Sequence, residues 1–301
     1  MNVHLENVSL QSRSGPNHFA SKLAKELASS GVSFENSKKP DARLCFIETY
    51  NTFTDGVPLF QRLDGIYFNT AQNYNQQNAN IKRTYDMSDG VVFQSNFNKE
   101  LITKYFGEHQ NHTVIHNGAD IEYISRQGPL ENKLLDKFEN TWCCASSWRP
   151  HKRLQENVRY FLEHSGEKDC LIIAGKSEEP VPRNDRVLYA GELTIPQLTS
   201  LYKRSKYFIH LAWLDHCPNV VVDARAAGCK IVCSSAGGTR EIAGADAIIV
   251  EEDEWNFEPV KLYEPPKLDF SRKTSNNWEV DINITTTAKK YKNFLFSEAS
   301  K

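Results

Sequence analysis

Short apolar runs alternate along this chain with longer stretches whose apolar positions recur at helical spacing. That rhythm predicts parallel sheets covered by helices on both faces, because each strand must be carried back over the sheet before the next begins. In the first half, residues 43–47, 90–93 and 112–116 read as strands, the last stopped by Asn117-Gly118. A helix opens at Ser14-Gly15-Pro16, carries Phe19, Leu23 and Leu27 on one stripe, and ends at Gly31. Proline in the first turn and glycine past the end obey the usual asymmetry of helix termini. A second helix starts near Ser95, carries Leu101, Ile102, Tyr105 and Phe106, and stops at Gly107.

A polar, charge-rich stretch over 125–140 reads as a linker. Beyond it the alternation resumes, with strands predicted near 142–145, 171–174, 187–190, 207–211, 230–233 and 247–250. One helix between them begins at Thr194, where Gln197 completes a capping box. Residues 251–278 are acidic, proline-bearing and poorly periodic. An amphipathic segment then runs over 281–297, with Ile284, Tyr291, Phe294 and Leu295 as its apolar positions. No solenoid-length repeat and no low-complexity tract is found.

Composition narrows the class. A chain of 301 residues, 40% apolar and 25% charged, is an ordinary globular protein of one or two domains. A formal net charge of −2 gives no global pull toward nucleic acid or anionic membrane, so no nucleic-acid partner is expected from charge. Seven cysteines exclude a complete disulfide framework, and six lie in or beside apolar runs, as buried thiols of a reducing compartment do. No apolar run approaches the ~20 residues that span a bilayer, and residues 1–10 lack the regions of a signal peptide. The expected location is cytoplasmic, with no transmembrane segment.

The candidate chemistry clusters in the second half. Asp215-His216-Cys217-Pro218-Asn219-Val220-Val221-Val222-Asp223 holds two carboxylates eight positions apart across a Pro-Asn turn. A carboxylate can accept two hydrogen bonds from a vicinal diol, so such a pair suits a sugar and a ribose. A helix cap is the plainer role for Asp215 alone. Upstream, Arg149-Pro150-His151-Lys152-Arg153 follows a strand and opens a helix, a natural anion site; a solvated basic helix start is the alternative. Gly175-Lys176 and Gly191-Glu192-Leu193 follow the next two strands, where small residues permit close backbone approach. No Gly-x-Gly-x-x-Gly follows a strand, which argues against a dinucleotide dehydrogenase, and no cysteine pairing suggests zinc.

The acid pair with Ala224-Arg225-Ala226-Ala227-Gly228 resembles the donor-site signature of family 4 glycosyltransferases, Glu-x7-Glu-Ala-x-Ala-x-Gly, with both acids here Asp. Gly237-Gly238-Thr239-Arg240-Glu241-Ile242 resembles that family's Gly-Gly-x-x-Glu-Ile segment, with Glu241 fixing the loop. The likeness covers about 142–250 and is looser over the first half, where Gly15 matches the glycine-rich loop under the donor phosphates. It implies an α/β chain of GT-B architecture: two Rossmann-like domains with parallel sheets facing a central cleft. The implied domains are 1–125 on the acceptor side, 126–280 binding the nucleotide sugar, and 281–301 as a C-terminal helix packing back toward the first. It also decides for a helix over Val220-Val221-Val222, whose β-branching favours a strand.

By the same resemblance Asp215, Lys152 and Arg149 are catalytic, Asp215 holding a hydroxyl of the transferred sugar and the two cations gripping the diphosphate. Asp223 would take the ribose hydroxyls, and Gly191 and Leu193 the base. Lys176, His216, Cys217, Pro218, Asn219, Val220 and Gly15 complete the donor-binding set. The implied activity is retaining hexosyl transfer from a UDP- or GDP-sugar to a hydroxyl acceptor, a glycan first, with modified DNA left open. No cofactor or metal is expected. Many relatives carry a His in the region that here reads 70–75 without one; Asp64, Asn69 or Gln72 would line that space, and the leaving phosphate would take the acceptor proton. A non-catalytic sugar- or nucleotide-binding relative and a sugar-nucleotide epimerase are the alternatives.

Overall fold

The computed structural model describes residues 1–12 and 14–297, so positions 298–301 of the expected C-terminal segment lie outside the described residues. The chain divides into two compact units: Met1–Ala119 with Phe257–Val260 and the segment from Asp281 onward, and Asp120–Asn256 with Lys261–Val280.

The first unit runs β1 (Val3–Glu6), α1 (Gly15–Ser29), β2 (Ala42–Phe46), β3 (Leu59–Leu63), α2 (Tyr74–Met87), β4 (Gly90–Phe93), α3 (Asn96–Phe106) and β5 (His112–Val114). Its five strands are parallel and lie in sequence order. The punctuation falls where the residues predict: Ser14 stands at the N-cap position of α1 without a side-chain cap bond, Pro16 lies in its first turn, and Gly31 follows it at φ +87°. Ser95 caps α3 by accepting from the Asn98 amide, and Gly107 closes it at φ +89°.

Three elements of this unit lie outside the expectations drawn from apolar runs: β1, β3 and α2. In β3 the buried positions include Gln61 and Arg62, so no apolar run exists. Arg62 lies over the Phe19 ring at 4.4 Å, pairs with Asp64 and donates to Asn117 Oδ1 at 2.7 Å. Gln61 points to the other face. There it donates to the carbonyls of Ile47, at 2.6 Å, and of Ile81 in α2, at 3.1 Å. The Gln61 amide donor and the Arg62 guanidinium find partners, which is what permits such burial, while Gln61 Oε1 has none among the described residues.

The second unit contains α4 (Ile121–Arg126), β6 (Asn140–Ala145), a 3₁₀ turn (Pro150–Lys152), α5 (Leu154–His164), β7 (Asp169–Ala174), β8 (Val187–Gly191), α6 (Ile195–Arg204), β9 (Tyr207–His210), α7 (Asn219–Ala226), β10 (Lys230–Ser234), α8 (Thr239–Ile242), β11 (Ile248–Val250) and β12 (Lys273–Thr274). Strand order is β12-β11-β10-β9-β6-β7-β8, parallel except for β12, which comes from the aperiodic stretch and pairs antiparallel with β11. Trp142, Cys144, Leu171, Ile173, Ile209 and Val232 pack with Leu154, Val158 and Phe161 of α5 on one face. On the other, Phe208 meets Tyr202 of α6 edge-on at 5.3 Å. The capping box of Thr194 and Gln197 is present at the start of α6. The Val220-Val221-Val222 run is helical: Val221, Val222 and Ala224 are buried, and that burial overrides β-propensity.

The last helix, α9 (Ile284–Phe296), belongs to the first unit. Tyr291 sits 6.1 Å from Phe19 of α1, Phe294 meets Phe60 edge-on at 5.5 Å, and Ala119 exchanges backbone hydrogen bonds with Ile282 and Ile284.

Candidate active site

In the second unit the strand order reverses at β6: β7 lies on one side of it and β9, the later strand, on the other. The loops leaving the carboxyl ends of β6 and β9 therefore flank a topological switch point, where open α/β sheets bind ligands. Lys152 is on the first of these loops and Asp215 on the second.

The two side chains meet. Lys152 Nζ lies 2.5 Å from Asp215 Oδ2, and the pair is only 18% and 14% exposed. His210, the last residue of β9, donates from Nε2 to the same oxygen at 2.8 Å. Asp215 Oδ1 accepts the His216 amide at 3.1 Å. Burial raises the pKa of Asp215, but the charge of Lys152 and the His210 hydrogen bond outweigh it and hold the carboxyl well below its ordinary value. Asp215 does not cap α7; Pro218 occupies that position. Among the described residues Oδ2 has two donors and Oδ1 one, which leaves a lone pair on Oδ1 to meet a ligand hydroxyl.

Neighbouring loops are knitted to this pair by backbone bonds. Trp213 N–H donates to His151 O at 2.7 Å and Gly238 N–H to Asp215 O at 2.8 Å. Gly237 has to be glycine: φ is +100°, and a Cβ would stand 2.6 Å from Asp215 O. On the other side Trp148 N–H donates to Lys176 O at 2.9 Å, and Gly175 N–H to Gly191 O at 2.7 Å. Thus the backbones at Lys152, Asp215, Lys176 and Gly191 share one rim, at the carboxyl ends of β6, β9, β7 and β8.

Arg149 is exposed at the entry of the 3₁₀ turn, three residues before Lys152. Leu193 is half-buried just past β8. His216, Cys217 and Pro218 form the approach to α7, and Asn219 and Val220 open its first turn. At that turn the helix dipole favours an anion. Asp223 lies one turn on, half-buried. Burial first, then the charges of Cys143 and Asp223, raise the Tyr202 phenol well above its ordinary pKa. Glu241 is buried in α8. Gly15 belongs to the other unit, as the first residue of α1.

Three further residues were not singled out by sequence. Arg153, in the left-handed region at φ +54°, turns inward to a bidentate pair with Glu252 at 2.8 and 2.6 Å and also donates to Pro266 O. Of the three clustered cations, then, Arg153 serves the fold. His151 stacks on Tyr263 at 5.6 Å, and its buried Nδ1 finds no hydrogen-bond partner among the described residues. Burial, reinforced by Lys152, pushes its pKa down to about 3. His210 is the third. A polar residue closing a buried strand, five positions before an acid, was the signal available for it.

With this geometry in hand, comparison with known proteins supplies the class. Residues 140–258 match the family model described as group 1 glycosyl transferases. Among solved structures, Anabaena HepE in complex with UDP and glucose superposes at a TM-score of 0.69 and 14% identity, over 99% of this chain and 100% of that one. AviGT4, a glycosyltransferase of avilamycin A biosynthesis, gives 0.62 and 12% over 100% and 98%. WaaG, a glycosyltransferase involved in lipopolysaccharide biosynthesis, gives 0.58 and 12% over 100% and 98%. Among curated proteins, no sequence match is found. The fold is GT-B, two Rossmann-like domains. The matched segment is a group 1 glycosyl transferase domain.

Proposed function

We propose that the chain is a retaining hexosyltransferase that moves a sugar from a UDP- or GDP-sugar to a hydroxyl of a glycan acceptor. The observation that carries this reading is the meeting of Lys152 and Asp215 at the switch point of the matched domain, beside the first turn of α7. Lys152 and Arg149 stabilise the departing diphosphate, and the α7 amides add their dipole. Asp215 accepts one sugar hydroxyl through Oδ1. Asp223 takes the ribose, and the backbone at Gly191 and Leu193 flanks the base.

Leaving-group charge is borne by these groups, so the reaction runs without a bound metal. The first half receives the acceptor, and the leaving phosphate takes the acceptor proton. HepE binding UDP and UDP-glucose favours uridine as the base to test first. All seven cysteines are buried with no disulfide between them, in keeping with work in a reducing cytoplasm. Among the described residues no helix is long and apolar enough to cross a membrane.

Calorimetric titration with UDP and GDP tests the reading. Lys152→Ala and Asp223→Ala should each weaken nucleotide binding about tenfold or more, the worth of one charge-assisted hydrogen bond. Unchanged affinity in both variants would overturn the donor site.

A further inference from the structure

We infer that His210 is a positioning residue for donor binding: it fixes the Asp215 carboxylate, which in turn fixes the Lys152 ammonium toward the diphosphate. The inference rests on the proposed function in that Lys152 meets a diphosphate, and it goes beyond that reading in assigning His210.

The geometry is a chain of three groups around one oxygen. His210 Nε2 and Lys152 Nζ converge on Asp215 Oδ2 from two separate elements, the end of β9 and the 3₁₀ turn after β6. The imidazole is itself immobile: it is 3% exposed and lies nearly parallel to the Phe208 ring, 6.3 Å away at 13°. Burial lowers its pKa, against the opposing pull of Asp215, so the ring is neutral at neutral pH. A neutral ring facing a carboxylate must carry its proton on Nε2, and His210 then acts as a donor without cancelling the charge that Asp215 offers Lys152. The Asp215 backbone is clamped as well, by Gly238 N–H and by the close approach of Gly237.

Lysine is a point charge on a flexible four-carbon stem, so its position is set by what it binds. Without His210, Asp215 Oδ2 would be held by Lys152 alone. The His216 amide on Oδ1 would then be left to orient the carboxylate, and part of the ordering now built into the protein would fall to the ligand. An Asp here is one methylene shorter than the Glu of the resembled signature. A fixed donor behind it holds this shorter side chain in one orientation.

The experiment compares wild type, His210→Leu and His210→Gln by UDP titration, UDP-glucose hydrolysis and thermal melting. Gln can place an amide N–H near the position of Nε2, whereas Leu cannot. His210→Leu should raise the UDP dissociation constant about tenfold and lower kcat for hydrolysis, with His210→Gln recovering to within about threefold of wild type. A purely structural role would lower the melting temperature of both variants with no selective recovery. Wild-type affinity in His210→Leu, or an equal loss in both variants, would overturn the assignment. Should wild type bind neither UDP nor GDP, the proposed function fails, and the positioning claim is judged on the ligand-free protein. There, ¹⁵N spectra of the His210 ring should show an Nε2–H tautomer that shifts in Asp215→Asn. An Nδ1–H tautomer would overturn it.

Discussion

Gly175 is where one methyl group should do most harm to the rim at the carboxyl ends of β6, β7, β8 and β9. It follows β7 at φ +100°, and a Cβ there would lie 1.8 Å from Ser146 O and 2.8 Å from Ser146 C. Non-bonded heavy atoms rest about 3.5 Å apart, so in Gly175→Ala the two loops must separate by roughly 1.7 Å. Separation breaks the bonds from Gly175 N–H to Gly191 O and from Trp148 N–H to Lys176 O. Backbone strain costs about 1–3 kcal/mol and the two hydrogen bonds about 1 kcal/mol each. The sum is roughly 3–5 kcal/mol, or a melting temperature lower by about 10 °C for a unit of this size. Gly191→Ala is the control. It too has positive φ, +66°, but nothing lies within 4 Å of its Cβ, so only strain of about 1–2 kcal/mol applies. Thermal melts by circular dichroism should order the three proteins as wild type, Gly191→Ala, Gly175→Ala. Equal melting of the two variants would refute the argument that close approach, and not φ alone, requires Gly175.

Removing one partner of the buried Arg153–Glu252 pair, as in Arg153→Met, should cost about 3–5 kcal/mol in urea unfolding, because a carboxylate that is 8% exposed loses its charged partner and keeps the Ser234 hydroxyl. The pH dependence should carry the mark of His151. Its folded pKa of about 3 lies below the unfolded value near 6.5. The unfolded state therefore binds more protons in that window, and stability falls as pH drops from about 6.5 toward 3, by at most about 1.4 kcal/mol per pH unit for this group. Urea melts of His151→Gln at pH 7 and pH 5 should differ less than those of wild type. Tyr291→Ala should cost about 3–5 kcal/mol and loosen α9 from α1, since that ring is fully buried against Phe19. Hydrogen exchange that speeds in both helices would show it, and exchange confined to α9 would not fit the packing.

Elements whose evidence is local were legible in the residues. Pro16 and Gly31 bound α1, Ser95 and Gly107 bound α3, and Thr194 with Gln197 opens α6. The apolar runs of β6, β7, β9 and β10 stood out because strands buried on both faces need apolar side chains at every position. By the same physics β3 stayed hidden. Its Gln61 and Arg62 are buried only because distant carbonyls and rings receive them, and those partners come from residues far along the chain. β12 is two residues long and exists by pairing with β11.

The candidate site divides along the same line. Which residue types stand at the strand ends, and their order, were properties of the linear chain: Lys152 after the first strand of the second half, Asp215 and Asp223 across the Pro-Asn turn, glycines after the next strands. Tertiary structure alone decided that Lys152 and Asp215 meet and that Arg153 turns inward to Glu252. It also decided that His210 shares an oxygen with Lys152. The physical reason is that strand order is not written in sequence order. Placing β9 beside β6 brings together residues 63 positions apart, and only that adjacency turns separated charges into one arrangement.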